Sequence, residues 1–172
     1  MLKPSVALVS LIVTIGLGFF PKVSVAAEPP VKLIYINSDS VTQLKRLEIS
    51  LSRRQVTLYS DNIPIKAYSV AVGRSGWETP MGNFQVIEKL KNPRWINPLT
   101  KESIPGGDPE NPLGNYWIGF WTNGKQWIGF HGTPNPNSVG TAASHGCIRM
   151  YNKDIEELFH QVTPGTPVKV VR

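Results

Sequence analysis

A duplicated tetrapeptide places the strongest constraint on how this 172-residue chain can fold. Residues 117–120 and 127–130 both have the sequence Trp-Ile-Gly-Phe, and Asn123-Gly124 lies between them. Because an Asn-Gly pair tolerates the positive φ angles of a type I′ turn, this arrangement predicts a β-hairpin. With that turn, Phe120 is expected opposite Trp127.

The composition also favours strands over helices. After residue 27 the chain has only four alanines but 32 residues of the β-branched types Val, Ile and Thr. Such side chains are enriched in strands, which argues against a helical bundle. A hydrophobic fraction of 41% supports a folded domain, and a single cysteine excludes both an internal disulfide and a paired-cysteine metal ribbon. We therefore expect one mostly β domain.

The N-terminal segment 1–27 has the three parts of an export signal. Lys3 precedes an apolar run over residues 6–20, and small residues at 24–27 offer a cleavage site. The run is short for a spanning helix, although an uncleaved anchor is the alternative. Cleavage would remove two lysines and reduce the net charge from +6 to +4. We therefore expect a protein exported to the periplasm or cell wall, not inserted in the membrane after cleavage, with an anionic partner. The chain has no dense basic run of the kind that binds nucleic acid.

The sequence after the signal is organised as a linker and a domain. Residues 28–46 are interpreted as a linker or N-terminal extension, in which residues 31–36 could form a strand, and residues 47–171 as the domain. Strands are predicted at residues 47–51, 55–60, 65–72, 84–89 and 168–171 from their apolar alternation and flanking turns. A helix is predicted after Asn152 as its N-cap and is expected to stop at Pro164-Gly165.

A long loop over residues 91–115 separates the predicted strands. It contains five prolines and has no apolar periodicity, which is unusual for an ordinary connection. Because Trp95 gives this loop a side chain that can pack, we interpret the loop as an ordered lid rather than a disordered insert.

The chemistry-bearing residues concentrate between His131 and Arg149. His145, Cys147 and Arg149 alternate, so an extended chain would place them on one side, and cationic neighbours favour a thiolate. Gly146 allows a substrate to approach closely and allows backbone N–H groups to point at one spot, as an oxyanion hole requires. His131 ends a predicted hairpin strand, which is a rigid platform for a general base. The residues alone therefore favour a Cys/His nucleophile.

A zinc site is the rival interpretation of the same residues. His131, His145 and Cys147 could supply three ligands and leave one position open. The usual short ligand spacings are absent, and no nearby carboxylate offers itself to orient a histidine. A buried, unreactive cysteine is a third possibility.

The segment resembles the signature of the L,D-transpeptidases of the YkuD family. In that signature a His-Gly pair is followed, after a spacer, by Ser/Thr-His-Gly-Cys, an aliphatic residue and Asn or Arg. These are His131-Gly132 and residues 144–149 in this chain. Residues 79–84 match the family's Thr-Pro-x-Gly-x-Phe, and residues 111–114 and 152–155 are also similar. The resemblance implies a fold of β-sandwich-like sheets with one or two short helices.

The resemblance also implies a two-step acyl transfer on peptidoglycan. Cys147 would attack a tetrapeptide stem and expel its terminal D-Ala, and an amine from a second stem, a lipoprotein lysine or a D-amino acid would resolve the thioester. His131 would be the base, oriented by the carbonyl of Gly132. The N–H groups of Gly146 and Cys147, with His145 nearby, would hold the oxyanion.

The remaining residues implied by the resemblance shape the site. Ser144 and Arg149 would support it and meet substrate carboxylates, and Trp95 of the lid would pack on the substrate. Arg149 stands where many members have Asn, and no substrate-binding repeat precedes the domain, so wall targeting is expected of the domain itself. No metal or organic cofactor is implied, and we expect a monomer. A hydrolase that uses the same cysteine and a non-catalytic wall-binding module remain as alternatives.

Overall fold

A computed structural model describes residues 44–97 and 100–172. Within these ranges the protein is mostly β, with a single α-helix, as the sequence predicts. The elements, in chain order, are β1 Lys45–Ser50, β2 Gln55–Ser60, β3 Ile63–Ser69, β4 Val72–Gly73, β5 Gly82–Gln85, β6 Glu88–Lys91, β7 Trp95–Ile96, β8 Ser103–Ile104, β9 Tyr116–Thr122, β10 Trp127–His131, β11 Ala142–Ser144, β12 Ile148–Arg149, α1 Asn152–Gln161 and β13 Pro167–Val171.

Two sheets enclose the core. The first has the strand order β3-β2-β1-β13-β5, and the second has the order β12-β10-β9-β6. Their buried apolar side chains form one cluster, to which α1 contributes Ile155 and Leu158. The alternation predicted for the first strand is confirmed, because Leu47 and Ile49 of β1 are completely buried. The last strand, β13, lies inside the first sheet, where it pairs in parallel with β1 and antiparallel with β5.

The single strand predicted over residues 84–89 is wrong, because the chain changes sheets within it. β5 pairs with β13 in the first sheet, and β6 pairs with β9 in the second. The backbone N–H of Val86 donates to the Thr166 carbonyl at 2.9 Å, and that of Ile87 donates to the Gly119 carbonyl at 2.7 Å. The chain therefore passes from the first sheet to the second between Val86 and Ile87. Apolar alternation alone does not reveal such a change of sheet.

The hairpin is present, but its predicted register is wrong. Trp127 pairs with Thr122 rather than Phe120, since the Asn123 side chain accepts N–H bonds from Lys125 and Gln126 and so lengthens the turn. An irregularity between residues 128 and 129 then shifts the ladder, so that His131 pairs with Trp117. A β-bulge of this kind re-aims the side chains that follow it.

The long loop after β6 has a structure of its own. β7 and β8 pair within it as a short antiparallel hairpin. The buried Asn111 amide donates to the Pro93 carbonyl at 2.9 Å and to the Pro105 carbonyl at 3.0 Å. These two bonds join the beginning of the loop to its later part and add to the backbone bond from the Asn92 N–H to the Asn115 carbonyl, which is useful in a loop where proline removes several N–H donors.

The predicted N-cap of the helix is corrected by one residue. Tyr151 is the N-cap, and it makes no side-chain capping bond. The Asn152 side chain instead accepts the backbone N–H of Thr133 at 2.8 Å, so it supports the segment after β10. The helix ends at Gln161, before the predicted Pro164-Gly165 stop.

The export signal over residues 1–27 and the strand considered at 31–36 lie outside the described residues. In the described ranges, no helix is long and apolar enough to cross a membrane.

We expect Gly129→Ala to destabilise the fold strongly. An added Cβ would lie 2.5 Å from the Ile118 carbonyl oxygen and 2.8 Å from the Trp117 ring. Overpacking of this kind costs about 1–3 kcal/mol or more, measurable as the free energy of unfolding in denaturant. Gly165→Ala is the control, because its positive φ of 91° is strained but no atom lies within 4 Å of the new Cβ. An equal loss in the two variants would contradict the packing argument.

Candidate active site

The parallel pairing of β10 with β12 brings the candidate residues together. Phe130 pairs with Ile148, and His131 pairs with Arg149. Because side chains alternate along a strand, Phe130 and Ile148 point to the core and are completely buried, whereas His131 and Arg149 share the other face. Cys147 immediately precedes β12, and its Sγ lies 3.7 Å from the Trp127 carbonyl oxygen of β10.

The Cys147 thiol is partly exposed but lies in an apolar environment. Burial raises the pKa of the thiol above its ordinary value, and the Gly129 N–H and the Arg149 charge only partly oppose this shift. The Arg149 charge does favour the thiolate, as the sequence predicts, but burial has the larger effect on this pKa. The thiol is protonated at neutral pH and needs a base to become a nucleophile.

His131 is held as a neutral imidazole with one nitrogen available. Its Nδ1 lies 2.6 Å from the Gly132 carbonyl oxygen. A carbonyl can only accept, so Nδ1 carries the proton and Nε2 keeps its lone pair. Burial lowers the pKa of His131 to about 4, and the Arg149 charge adds to this effect, while bonds to the Gly132 and Pro112 carbonyls oppose it.

A tight turn over residues 144–147 positions the cysteine. Ser144 Oγ donates to the Cys147 carbonyl at 2.6 Å and accepts the Gly146 N–H at 3.1 Å. Gly146 has a φ of +107°, which side chains rarely adopt, and an added Cβ would lie 2.8 Å from Ile128. Thr79 Oγ1 donates to the Gly146 carbonyl at 2.7 Å and accepts the Gly73 N–H at 3.1 Å, which fixes the turn to β4.

His145 has different surroundings from His131. Its side chain is exposed, and its Nε2 lies 2.8 Å from Arg74 Nη2. The Trp77 ring contacts it edge-on at a centroid distance of 4.7 Å. Desolvation, followed by the charges of Arg74 and Arg149, lowers the pKa of His145, so this imidazole is also neutral at pH 7. Its Nε2 then accepts the bond from Arg74, because a guanidinium can only donate.

Arg149 brings an unsatisfied donor to the site. Its backbone bonds in both directions to Ala71, while its strand pairs with β10. Its Nε is buried and has no hydrogen-bond partner in the described part of the chain. A buried donor left unpaired costs about 1–3 kcal/mol, so a ligand that accepts from it would gain that energy.

Sequence reasoning missed the support around His131. The Trp117 ring stacks near the His131 imidazole at a centroid distance of 6.3 Å, and its Nε1 donates to Glu88 Oε1 at 3.0 Å. An added Cβ at Gly119 or Gly129 would lie 3.0 or 2.8 Å from this indole. The glycine repeated in the two Trp-Ile-Gly-Phe segments was the available signal, because it leaves room for a flat ring.

The steric contact between Gly132 and Asn152, and the polar contacts of Thr79 and Asn152, were also not foreseen. An added Cβ at Gly132 would lie 2.2 Å from Asn152 Oδ1, so only glycine fits beside the His131 ring. Thr79 and Asn152 both belong to segments that resemble the family, but their polar contacts connect elements distant in sequence.

Trp95 is the one candidate residue that the structure does not bring to the others. It lies on β7 of the loop hairpin, opposite Ile104. Within residues 44–97 and 100–172, no ring contact or hydrogen bond joins its side chain to Cys147, His131 or Arg149.

The three side chains considered as zinc ligands are not brought together in the described part of the chain. Over the residues that the structure describes, no three side chains of His, Cys, Asp or Glu lie close enough together to hold a metal ion. His145 is bonded to Arg74, and the buried His131 is bonded to the Gly132 carbonyl.

Comparison with known proteins identifies the family. The model of the YkuD family, described as the L,D-transpeptidase catalytic domain, matches residues 44–170. This chain belongs to the YkuD family. Relatives named as L,D-transpeptidases include YkuD of Bacillus licheniformis, 38% identical over 125 residues, and YkuD of Bacillus subtilis, 38% identical over 134 residues. The matches cover 73% and 78% of this chain but only 64% and 70% of those relatives.

Solved structures share the YkuD fold. An L,D-transpeptidase of Mycobacterium tuberculosis with a faropenem-derived adduct superposes with a TM-score of 0.61 at 19% identity, over 76% of this chain and 61% of that one. The Ldtfm–avibactam carbamoyl enzyme superposes with a TM-score of 0.60 at 28% identity, over 76% of this chain and 49% of that one. These matches confirm the predicted mostly β fold class.

The pKa of His131 predicts a specific loss of stability in acid. The folded protein resists protonating this histidine until about pH 4, whereas the unfolded chain accepts the proton near pH 6.5. The unfolded state therefore binds more protons in that window, and the free energy of unfolding should fall by about 3 kcal/mol as the pH drops through it.

The measurement is urea unfolding of the wild type and of His131→Gln between pH 7 and pH 4. Other titrating groups are shared, so the difference between the two curves reports His131. Parallel curves would show that the folded protein does not depress this pKa.

Proposed function

We propose that this protein is a cysteine-dependent L,D-transpeptidase that acts on peptidoglycan stem peptides outside the cytoplasm. The observation that carries the proposal is the protonation state of two groups, one at the end of β10 and one immediately before β12. Cys147 is a protonated thiol, and His131 is a neutral imidazole whose Nδ1 proton is directed to the Gly132 carbonyl, so that Nε2 carries the lone pair. Membership of the YkuD family supplies the reaction class, and the signal-like segment 1–27 supports export.

In the first step, His131 Nε2 takes the thiol proton as Sγ attacks the carbonyl that precedes the terminal D-Ala of a tetrapeptide stem. The carbon–sulfur bond forms, the peptide bond breaks, and the imidazolium returns its proton to the leaving amine. The Gly132 carbonyl keeps Nδ1 protonated and so leaves the basic lone pair on Nε2. The Arg149 charge stabilises the thiolate while it exists.

The oxyanion is assigned to the backbone N–H of Cys147. The Gly146 N–H already donates to Ser144 Oγ at 3.1 Å, so using it would require that bond to break. The turn that Ser144 and Thr79 hold in place keeps the Cys147 amide fixed, and a preorganised donor is what stabilises developing charge. His145 supports this turn from its exposed side.

Arg149 is assigned to a carboxylate of the stem peptide. Its buried, unpaired Nε is complementary to an anionic group, and a charged hydrogen bond there would be stronger than a neutral one. We assign Trp95 and the loop that carries it to packing over the bound stem, since Asn111 holds this loop together.

In the second step an amine attacks the thioester. The new amide bond forms as the carbon–sulfur bond breaks, and the sulfur recovers its proton through His131. If water attacks instead, the enzyme is a hydrolase with the same first step, so the products decide between the two activities.

We expect Cys147→Ser to abolish both release of D-Ala and crosslinking while the protein stays folded. The test is incubation with purified tetrapeptide muropeptides followed by mass analysis of the products. The same site should form a covalent adduct with a carbapenem or penem on Cys147 only, visible as a mass increase of the intact wild type. Turnover by a folded serine variant would contradict the thioester mechanism.

The two histidines should differ in their pH profiles. Loss of a general base costs about 10² to 10⁴ in rate, so His131→Gln should nearly eliminate acylation at neutral pH and recover partly as the thiol ionises at high pH. His145→Gln should keep more activity and a wild-type profile shape. Acylation rates of both variants across pH 6 to 10 make the comparison. If His145→Gln is the inactive variant and His131→Gln keeps the wild-type profile, the base is assigned to the wrong residue.

A further inference from the structure

Asn111 in the long loop is a buried polar residue whose side chain makes three hydrogen bonds. Its amide donates to the Pro93 and Pro105 carbonyls at 2.9 and 3.0 Å, and its Oδ1 accepts the Leu113 N–H at 2.9 Å. The residue is only 1% exposed. Because a buried amide is costly unless its polar atoms are paired, these bonds favour one position for the side chain. Asn111 therefore fixes the long loop at three points.

The two residues that follow Asn111 contact the candidate base. The Leu113 carbonyl accepts the Gly132 N–H at 2.9 Å. The Pro112 carbonyl bonds to the His131 imidazole. Consecutive carbonyls of the loop thus reach both the ring of His131 and the backbone that follows it.

The turn that carries these carbonyls fits closely against the end of β10. It is closed by a bond from the Gly114 N–H to the Asn111 carbonyl at 3.0 Å. An added Cβ at Gly114 would lie 2.9 Å from Asn152 Oδ1 and 3.3 Å from Gly132 Cα. Asn152 in turn accepts the Thr133 N–H at 2.8 Å. The long loop therefore holds Gly132 on one side, and α1 holds it on the other.

The orientation of Gly132 decides which nitrogen of His131 carries the proton. Its carbonyl oxygen lies 2.6 Å from Nδ1. The tautomer of a neutral imidazole is set by the bond that one nitrogen makes, so a fixed carbonyl selects the form with the lone pair on Nε2. The Pro112 carbonyl adds a second acceptor at the ring, which favours the imidazolium formed when the thiol loses its proton.

We propose that Asn111 is a positioning residue for the general base, which holds the Pro112 and Leu113 carbonyls against His131 and Gly132. This inference rests on the proposed function, since it takes His131 as the base. The long loop then has a second role besides packing over the stem peptide. When the loop is displaced, Cys147 and His131 remain in the chain, but the imidazole loses the contacts that fix its tautomer.

Two substitutions separate the contacts of Asn111. Asn111→Asp keeps an oxygen that can accept the Leu113 N–H but removes both donors to the Pro93 and Pro105 carbonyls, and Asn111→Ala removes all three bonds. Asn123→Asp is the matched control. It makes the same change of amide to carboxylate in the exposed hairpin turn, where the side chain accepts two backbone N–H groups.

The first measurement is the rate at which a carbapenem acylates Cys147, followed by intact mass at pH 7 and at pH 10. Both Asn111 variants should be slower at pH 7 by about 10²-fold, the cost of a small misplacement of a catalytic group. The loss should narrow at pH 10, because the thiol then ionises without the base. Arg149 and the Trp117 ring also face His131 and are unchanged in every variant. Asn123→Asp should match the wild type at both pH values.

The second measurement is the ¹⁵N spectrum of the His131 ring in the folded protein. The wild type should show a protonated Nδ1 and an unprotonated Nε2, and the Asn111 variants a mixture of tautomers. Amide exchange of the wild type supplies a test that needs no variant, should the substitutions prevent folding. The N–H groups of Leu113, Gly114 and Gly132 should exchange through one common opening, since the loop and the base form one unit.

Three results would overturn the inference. The first is an equal loss of rate at the two pH values, which would show that Asn111 affects only carbapenem binding. The second is an unchanged His131 tautomer in folded Asn111 variants, and the third is a Gly132 N–H that exchanges independently of the loop. Failure of the wild type to form any adduct would instead overturn the proposed function, while the tautomer and the exchange would still report whether Asn111 positions His131.

Discussion

The site depends on the short parallel pairing between β10 and β12. Two residue pairs make up this contact, and the Met150 N–H adds a bond to the His131 carbonyl at 2.9 Å. The chain leaves β10 after His131, passes through residues 132–147 and returns beside the same strand. Since Phe130 and Ile148 are completely buried, the hydrophobic core holds the pairing in place, and the opposite face presents His131 and Arg149 together.

Burial determines the resting protonation of the two reactive groups. Removal from water disfavours a charged form, so it raises the pKa of the Cys147 thiol and lowers the pKa of the His131 imidazole. Both shifts favour the uncharged pair over a thiolate and an imidazolium. Arg149 favours the thiolate and disfavours the imidazolium, so its charge lowers the pKa of both groups. In the proposed reaction, charge separation is thus left to the step in which the sulfur attacks.

Side-chain hydrogen bonds from distant segments hold the backbone around these groups. Thr79 connects β4 to the Gly146 turn, and Asn152 at the start of α1 supports Thr133. On the other side of His131, the Trp117 indole lies over two glycines and is tied to Glu88. Asn152 and Trp117 belong to a helix and a strand, whereas Thr79 lies in the segment between β4 and β5. Side chains on regular elements hold a site more precisely than loop contacts do.

The amino-acid sequence by itself determined the fold class and the candidate chemistry. Its excess of β-branched residues, its repeated Trp-Ile-Gly-Phe and the spacing between His131 and Cys147 are local properties, so they can be read without knowing what packs where. Residue alternation located β1, β2 and β13 for the same reason. The boundaries that it missed, at β5–β6 and at the hairpin turn, are places where side-chain hydrogen bonds or a change of sheet override the local pattern.

Only the tertiary structure decided how the site is set up electrostatically. From the sequence, Arg149 and His145 near Cys147 favoured a thiolate, because adjacent charges are visible in a sequence whereas desolvation is not. The folded chain shows that burial outweighs those charges, that the Gly146 N–H is occupied by Ser144, and that His145 is bonded to Arg74. Burial and hydrogen bonding depend on groups that are distant in the chain, and the Arg74–His145 bond, for example, joins residues 71 positions apart. The sequence therefore named the candidate reactive residues, but only the packing of the two sheets, the loops and the helix fixed their protonation and their partners.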